Sequence, residues 1–214
     1  TASVNPTFIA GIYVGMEHAA SQPVTHTFNA GLVGAWRIEK VAPAVGAGLA
    51  YAERLEMVEG DQSKLVWGKE TAAPAGTVWT LSGVTSNTRY ANRDEVNTLR
   101  RVQAGLGRPE ATRAALIPIR KSGAWWSLAQ DERRAIFEEQ SRHTAIGLEY
   151  LPAIARRLIH CRDQVAGGGS EFDFLTWFEY APEHADAFEE LVKRLRGSRE
   201  WTFVDREVDV RLSR

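Results

Sequence analysis

Residues 171–180, EFDFLTWFEY, constrain this chain most. Phe172, Phe174, Phe178 and Tyr180 alternate with other residues, so the segment predicts a strand with these aromatics on one face. After it, Pro182 opens a helix with Ala185, Phe188, Leu191 and Leu195 on one stripe, and Gly197 closes it. Residues 201–210, WTFVDREVDV, read as the last strand. Before it, residues 114–120, AALIPIR, read as a short strand in which Pro118 points to an edge or a bulge. Ser127 and Gln130 form a capping-box pattern that starts a helix at Leu128. Ala129, Ile136 and His143 then recur every seven residues on one face, Gly147 interrupts, and a second helix begins near Pro152 with Leu151, Ala155 and Leu158 as its buried stripe. The order strand, helix, helix, strand, helix, strand predicts a ferredoxin-like α+β sheet with its helices on one face.

The first half carries a less complete echo of that order. Strand signals occupy residues 28–41, 65–68 and 77–84, with a loop at 72–76 (AAPAG) and another at Gly167 to Gly169. Residues 93–105 read as a helix with Val96, Leu99 and Val102 at helical spacing. The apolar run at 7–16 has no basic residues before it and reads as a strand rather than a signal peptide. Two units are expected, a reduced N-terminal half over residues 1–110 and a complete C-terminal half over 111–214.

Charge excludes some partners. With 26 basic against 27 acidic residues, no bulk field draws the chain to nucleic acid or to a membrane surface. No apolar run approaches a membrane span. One cysteine, Cys161, provides no internal disulfide. Seven tryptophans are ordinary as core packing and also suit the wall of a large flat pocket.

Taken singly, the polar candidates have plain readings. His143 is a hydrogen-bonded helix histidine, Arg156 a helix-surface arginine beside Arg157, Glu200 a solvated carboxylate, Lys121 a strand-end charge, and Asn87 and Tyr90 turn residues. His160 reads as a helix-end residue.

Together they form a pattern. The blocks GVTSNTRY, IPIRKSGAWW, HTAIGLEYLPAIARRL and REWTFVDREVDVRL, within residues 83–211, resemble the chlorite dismutase family in order and spacing. The resemblance implies a dimeric α+β barrel binding heme b noncovalently, which fits the absence of a Cys-x-x-Cys-His attachment motif. It implies His143 as the axial ligand of the heme iron, Glu200 as acceptor of the imidazole N–H, and Arg156 as a distal guanidinium held by Gln103. It also implies Leu151 as a distal apolar wall, with Asn87, Tyr90 and Lys121 at the propionates and Trp125 and Trp126 beside the heme. The family reaction converts chlorite to chloride and molecular oxygen, with O–O bond formation at ferric heme b. The shorter chain implies the branch that forms homodimers, in the cytoplasm or periplasm. Two other readings share the scaffold: a coproheme decarboxylase, against which the distal arginine argues, and a noncatalytic heme carrier or sensor.

Overall fold

Eight antiparallel strands close into a barrel in the order β1-β3-β2-β8-β5-β7-β6-β4. They are β1 (Val24–Gly31), β2 (Trp36–Val45), β3 (Arg54–Asp61), β4 (Trp79–Val84), β5 (Arg113–Lys121), β6 (Ala155–His160), β7 (Phe174–Tyr180) and β8 (Val204–Ser213). The computed structural model describes residues 24–61, 73–85, 89–163 and 171–214. The strands expected at 7–16 and 65–68 and the Gly167 to Gly169 loop lie outside them. The barrel contains two successive arcs, β4-β1-β3-β2 and β8-β5-β7-β6. Each arc reads fourth, first, third, second in its own chain order, which is the ferredoxin-like order. The closing contact between β4 and β6 is a single pair, Val84↔His160.

Side-chain alternation builds two cores. The inward faces pack Phe28, Trp36, Leu55, Leu116, Leu175, Trp177 and Val210 inside the barrel. Trp177 is its centre, with Phe28 at 5.6 Å and Trp36 edge-on at 5.5 Å between ring centroids. The outward face of the second arc packs Ala115, Ile117, Phe178 and Tyr180 against helix α5 (Ala185–Arg196) through Phe188, Leu191, Val192 and Leu195. Each such side chain fully withdrawn from water stabilises by about 1.5–3 kcal/mol.

This arrangement corrects the reading of residues 171–180. Both faces of β7 are buried: Phe178 and Tyr180 face α5, while Phe172 belongs with Leu175 and Trp177 in the barrel core. Nor is β5 an edge. It lies between β7 and β8, and Pro118 is accommodated where the ladder to β8 lapses, between Leu116↔Val210 and Ile119↔Glu207.

The helices between β5 and β6 also differ from expectation. Helix α1 (Arg93–Val102) precedes β5, capped by reciprocal bonds of Asn92 and Glu95. After β5 come α2 (Gly123–Ser127), α3 (Gln130–Arg134), a π-helical turn (Ala135–Gln140) and α4 (His143–Glu149). Ser127 caps nothing downstream: its hydroxyl donates to the Gly123 carbonyl, and Glu132 accepts from the Ala129 N–H at the start of α3. The long helix expected through Ala129, Ile136 and His143 breaks at Arg142, whose φ of 53° is left-handed. Glu138 then accepts from the N–H groups of Thr144 (2.7 Å) and Ala145 (3.2 Å), restarting the helix with His143 as its first residue.

The helix expected from Pro152 is strand β6, paired with β7 from Ala155↔Glu179 to His160↔Phe174. Leu151, Ala155 and Leu158 mimic a helical stripe. In the strand Ala155 is fully buried and Leu158 is 42% exposed. The last strand begins at Val204, because Arg199–Phe203 forms a 3₁₀ turn carrying Glu200.

Candidate functional site

The outward faces of β5, β7 and β6 form a floor of Ile119, Lys121, Phe174, Thr176, Leu158 and His160, and His143 at the start of α4 also borders the space above it. Two adjoining cavities of about 520 Å³ and 460 Å³ lie there. They share Ile119, His143, Thr176 and Trp201 as lining residues. Tyr90, Trp125 and Phe137 line the first, and Arg156 with Phe178 and Leu191 the second.

His143 is fixed from several sides. Its ring stacks on Phe137, with centroids 4.3 Å apart, and lies nearly parallel to Trp201 at 6.4 Å. Nδ1 is 2.6 Å from Glu200 Oε2. Glu200 is buried, its other oxygen accepts from Lys121 Nζ at 2.7 Å, and its backbone N–H donates to Ser141 Oγ. Burial alone would raise the Glu200 carboxyl, but the charges and hydrogen bonds of His143 and Lys121 overcome it and hold the group at about 2. The result is a carboxylate that grips one nitrogen of the imidazole, leaving Nε2 as the remaining ligand atom of a residue lining both cavities.

Arg156 is the counterpart on the floor. It projects from β6, and among the described residues its side chain has no hydrogen bond or ion pair. A Cβ at Gly147 would stand 2.5 Å from its Nη1, so the bare glycine of α4 makes room for it. Burial depresses its pKa, and the nearby Glu138 charge partly opposes that. An always-charged planar donor without a protein acceptor is suited to an anion.

The structure brings most of the expected residues together. Lys121 differs from expectation: its side chain is nearly buried, paired with Glu200, and its Nζ lies over the rings of Trp125 (4.8 Å) and Trp201 (5.4 Å). Gln103 Nε2 donates to the backbone carbonyl of Arg156 at 2.6 Å, so it holds the strand rather than the guanidinium. Trp126 is packed between Arg133 and Arg162 with its indole N–H on Asp173, outside both cavity linings. Leu151 lies in the turn before β6 and lines neither cavity; Leu158, on the same face as Arg156, occupies that floor instead. Asn87 lies outside the described residues.

Arg89, Phe137, Thr176, Trp201 and His160 were not foreseen. Trp201 adjoins Glu200 in sequence, which was the available signal. His160 is a 2%-exposed strand residue rather than a helix end, and burial, then the Arg89 charge, push it down to about 4.

Comparison with known proteins agrees with this architecture. A dimeric chlorite dismutase from Nitrobacter winogradskyi superposes with a TM-score of 0.76 at 55% identity, covering 88% of this chain and 99% of that one. The chlorite dismutase of Candidatus Nitrospira defluvii in complex with imidazole shares the fold, with a TM-score of 0.61 at 20% identity over 89% of this chain and 91% of that one. Chlorite dismutase from Ideonella dechloratans is 31% identical over 101 residues, which are 46% of this chain and 33% of that protein. The match thus spans a third of that relative's length. The family model for chlorite dismutase matches residues 49–214, most of the chain, and the chain belongs to the chlorite dismutase family.

Proposed function

We propose that the chain binds heme b noncovalently and converts chlorite to chloride and molecular oxygen. One arrangement carries the reading: a carboxylate-gripped histidine and a guanidinium unpaired among the described residues border the same pair of cavities. The walls suit a flat amphipathic cofactor. They are mainly apolar and aromatic, and the indole N–H of buried Trp125 has no partner among the described residues, a donor that a cofactor carboxylate would satisfy. Heme, when bound, supplies the redox-active iron at which an oxygen atom is taken from chlorite.

The chain's own residues divide the remaining work. His143 Nε2 would hold the heme iron. Glu200 takes the Nδ1 proton's hydrogen bond and gives the imidazole anionic character, while Lys121 holds Glu200 charged and fixed. Arg156 would attract chlorite and hold an anionic chlorine-containing fragment beside the cofactor. Gln103 fixes the Arg156 backbone, and Ile119, Phe178 and Leu191 line the cavity around Arg156 with apolar surface, which strengthens that attraction.

Residues 111–214 are the complete heme-binding ferredoxin-like half, and residues 1–110 a reduced one. A homodimer is the assembly, as for the Nitrobacter winogradskyi protein. No helix among the described residues is long and apolar enough to cross a membrane.

An oxygen electrode trace after adding chlorite to heme-loaded protein tests the reaction. Oxygen evolution is expected, and Arg156→Ala should keep heme, lose turnover and release more hypochlorite to a scavenger. Oxidative decarboxylation of coproheme without oxygen from chlorite would overturn the assignment, and a protein inert to both substrates would be a carrier.

A further inference from the structure

The first cavity has an end about which the His143–Glu200 pair says nothing. Arg156 and His160 stand four residues apart on one face of β6, about 13 Å along the strand. With His160, the first cavity is also lined by Arg89, which bonds His160, and by Tyr90 and Trp125, whose rings meet edge to face at 5.8 Å.

Three of these lining residues carry hydrogen-bond donors. The Trp125 indole N–H is buried without a partner among the described residues. Tyr90's hydroxyl oxygen accepts from Arg133 Nη1 at 3.4 Å, leaving its own proton to donate. Arg89 spends its Nε–H on His160 Nδ1 at 3.2 Å and one Nη2 hydrogen on Asp163, which leaves three of its five donors unspent among the described residues. The nearby cation Lys121 is taken by Glu200.

His160 is what aims Arg89. A guanidinium cannot accept a hydrogen bond, so the Nδ1 facing Arg89 must be bare and the ring proton must sit on Nε2. The ring is buried edge-on against Phe174, with centroids 5.4 Å apart, and cannot swing away. With Nε held by the ring and one Nη2 hydrogen by Asp163, the outer edge of the fork is preset, while the side chain keeps 32% exposure.

We propose that Arg89, braced by His160 and Asp163, is the cation that binds a propionate carboxylate of the heme at the cavity mouth, together with the Tyr90 and Trp125 donors. The inference rests on the heme reading above and transfers to Arg89 the charge that sequence resemblance had assigned to Lys121. A planar fork receives a carboxylate through two parallel bonds, which a point charge cannot.

The test compares heme with its dimethyl ester, whose propionates carry no charge. Each is loaded into wild type, Arg89→Ala, Arg89→Lys and His160→Gln, and its transfer to excess apomyoglobin is followed by absorbance. Arg89→Ala should speed loss of free-acid heme by about tenfold or more, as expected for losing a charge-assisted hydrogen bond. Loss of the ester should change by less than about twofold on the same scale. Arg89→Lys should recover part of the difference, and His160→Gln, whose carbonyl can accept from Nε, most of it. Equal acceleration with both compounds would make Arg89 a structural residue, and no acceleration with either would remove it from the subsite. Wild type that retained free-acid heme and ester equally would overturn the carboxylate subsite while leaving heme binding intact. Wild type that held neither would refute heme binding and this subsite together.

Discussion

In the first arc, β4-β1-β3-β2, residues 32–35 join the first strand to the second as a bare turn, and the outer face of β3 shows Val58 48% exposed. In the second arc, β8-β5-β7-β6, residues 122–154 occupy the corresponding connection with three helices and a π turn, and α5 follows β7. The outer face of β7, the strand equivalent to β3, therefore buries Phe178 and Tyr180. Both arcs contribute to one barrel core, so that core cannot explain why chemistry resides on only one side. The difference is the cover. Among the described residues only the second arc has helices over its outer face, and the cavities and all the candidate site residues placed here belong to that arc or to the segment that leads into it.

The largest expected effect separates the cavity from the barrel beneath it. His143→Ala removes the one imidazole whose Nδ1 is held by Glu200, and heme should no longer be retained after gel filtration. The heme-free variant should still fold, at a cost of about 1–3 kcal/mol, because the buried Glu200 carboxylate loses one of its two side-chain partners. An unchanged ferric spectrum in His143→Ala would make another residue the ligand.

The next effect attacks the cover. Phe178 is 4% exposed and meets Phe188 of α5 edge-on, with centroids 5.1 Å apart. Phe178→Ala should cost about 3–5 kcal/mol in urea unfolding, the range for a buried aromatic replaced by a methyl. A cost below about 1 kcal/mol would mean that α5 rides loosely on the sheet, contrary to a close-packed cover.

The same contrast explains what was legible in the sequence. Strands β5, β7 and β8 and helix α5 each have a face buried against protein, so their apolar periodicity reported them. Strand β6 did not. Its outward residues are Arg156, Leu158 and His160, a cation, an exposed apolar side chain and a neutral histidine, because that face meets a cavity instead of a core. A strand facing a ligand has no alternation to read, and the 151, 155, 158 spacing imitated a helix. Site residues were legible where blocks resembled a known family. The resemblance named His143 and Glu200 as partners, and the fold brings them, 57 positions apart, to 2.6 Å in space. The partner of Lys121 and the bracing of Arg89 by His160 were not, because they depend on which charges are already paired once the chain is folded.

A smaller effect comes from His160. Its pKa in the folded chain is pushed from 6.5 to about 4, chiefly by burial and then by the Arg89 charge. The unfolded chain therefore takes up this proton first as pH falls. The contribution to stability is fully present above about pH 6.5 and is lost as pH falls toward 4, at no more than about 1.4 kcal/mol per pH unit. The difference in unfolding free energy between wild type and His160→Asn, measured from pH 7 to pH 4, should shrink along that interval. A difference independent of pH would mean that the ring titrates alike in both states.

The smallest effect is expected on the face that no described helix covers. Val58 lies on β3 opposite Thr27, away from the inward-facing Leu55 and Met57. Val58→Ala removes β-branching but little buried surface, so the loss should be about 0.5 kcal/mol or less. The comparison with Phe178→Ala is then close to tenfold for two outward residues on equivalent strands. The result also reports on assembly. In a dimer that used this face, Val58 would be covered by the second copy, and its truncation would cost more at high protein concentration than at low, because subunit association is linked to stability by mass action. A small, concentration-independent cost places the subunit contact elsewhere on the surface. A cost that grows with concentration would show that the first arc has a cover after all, supplied by a partner in place of helices.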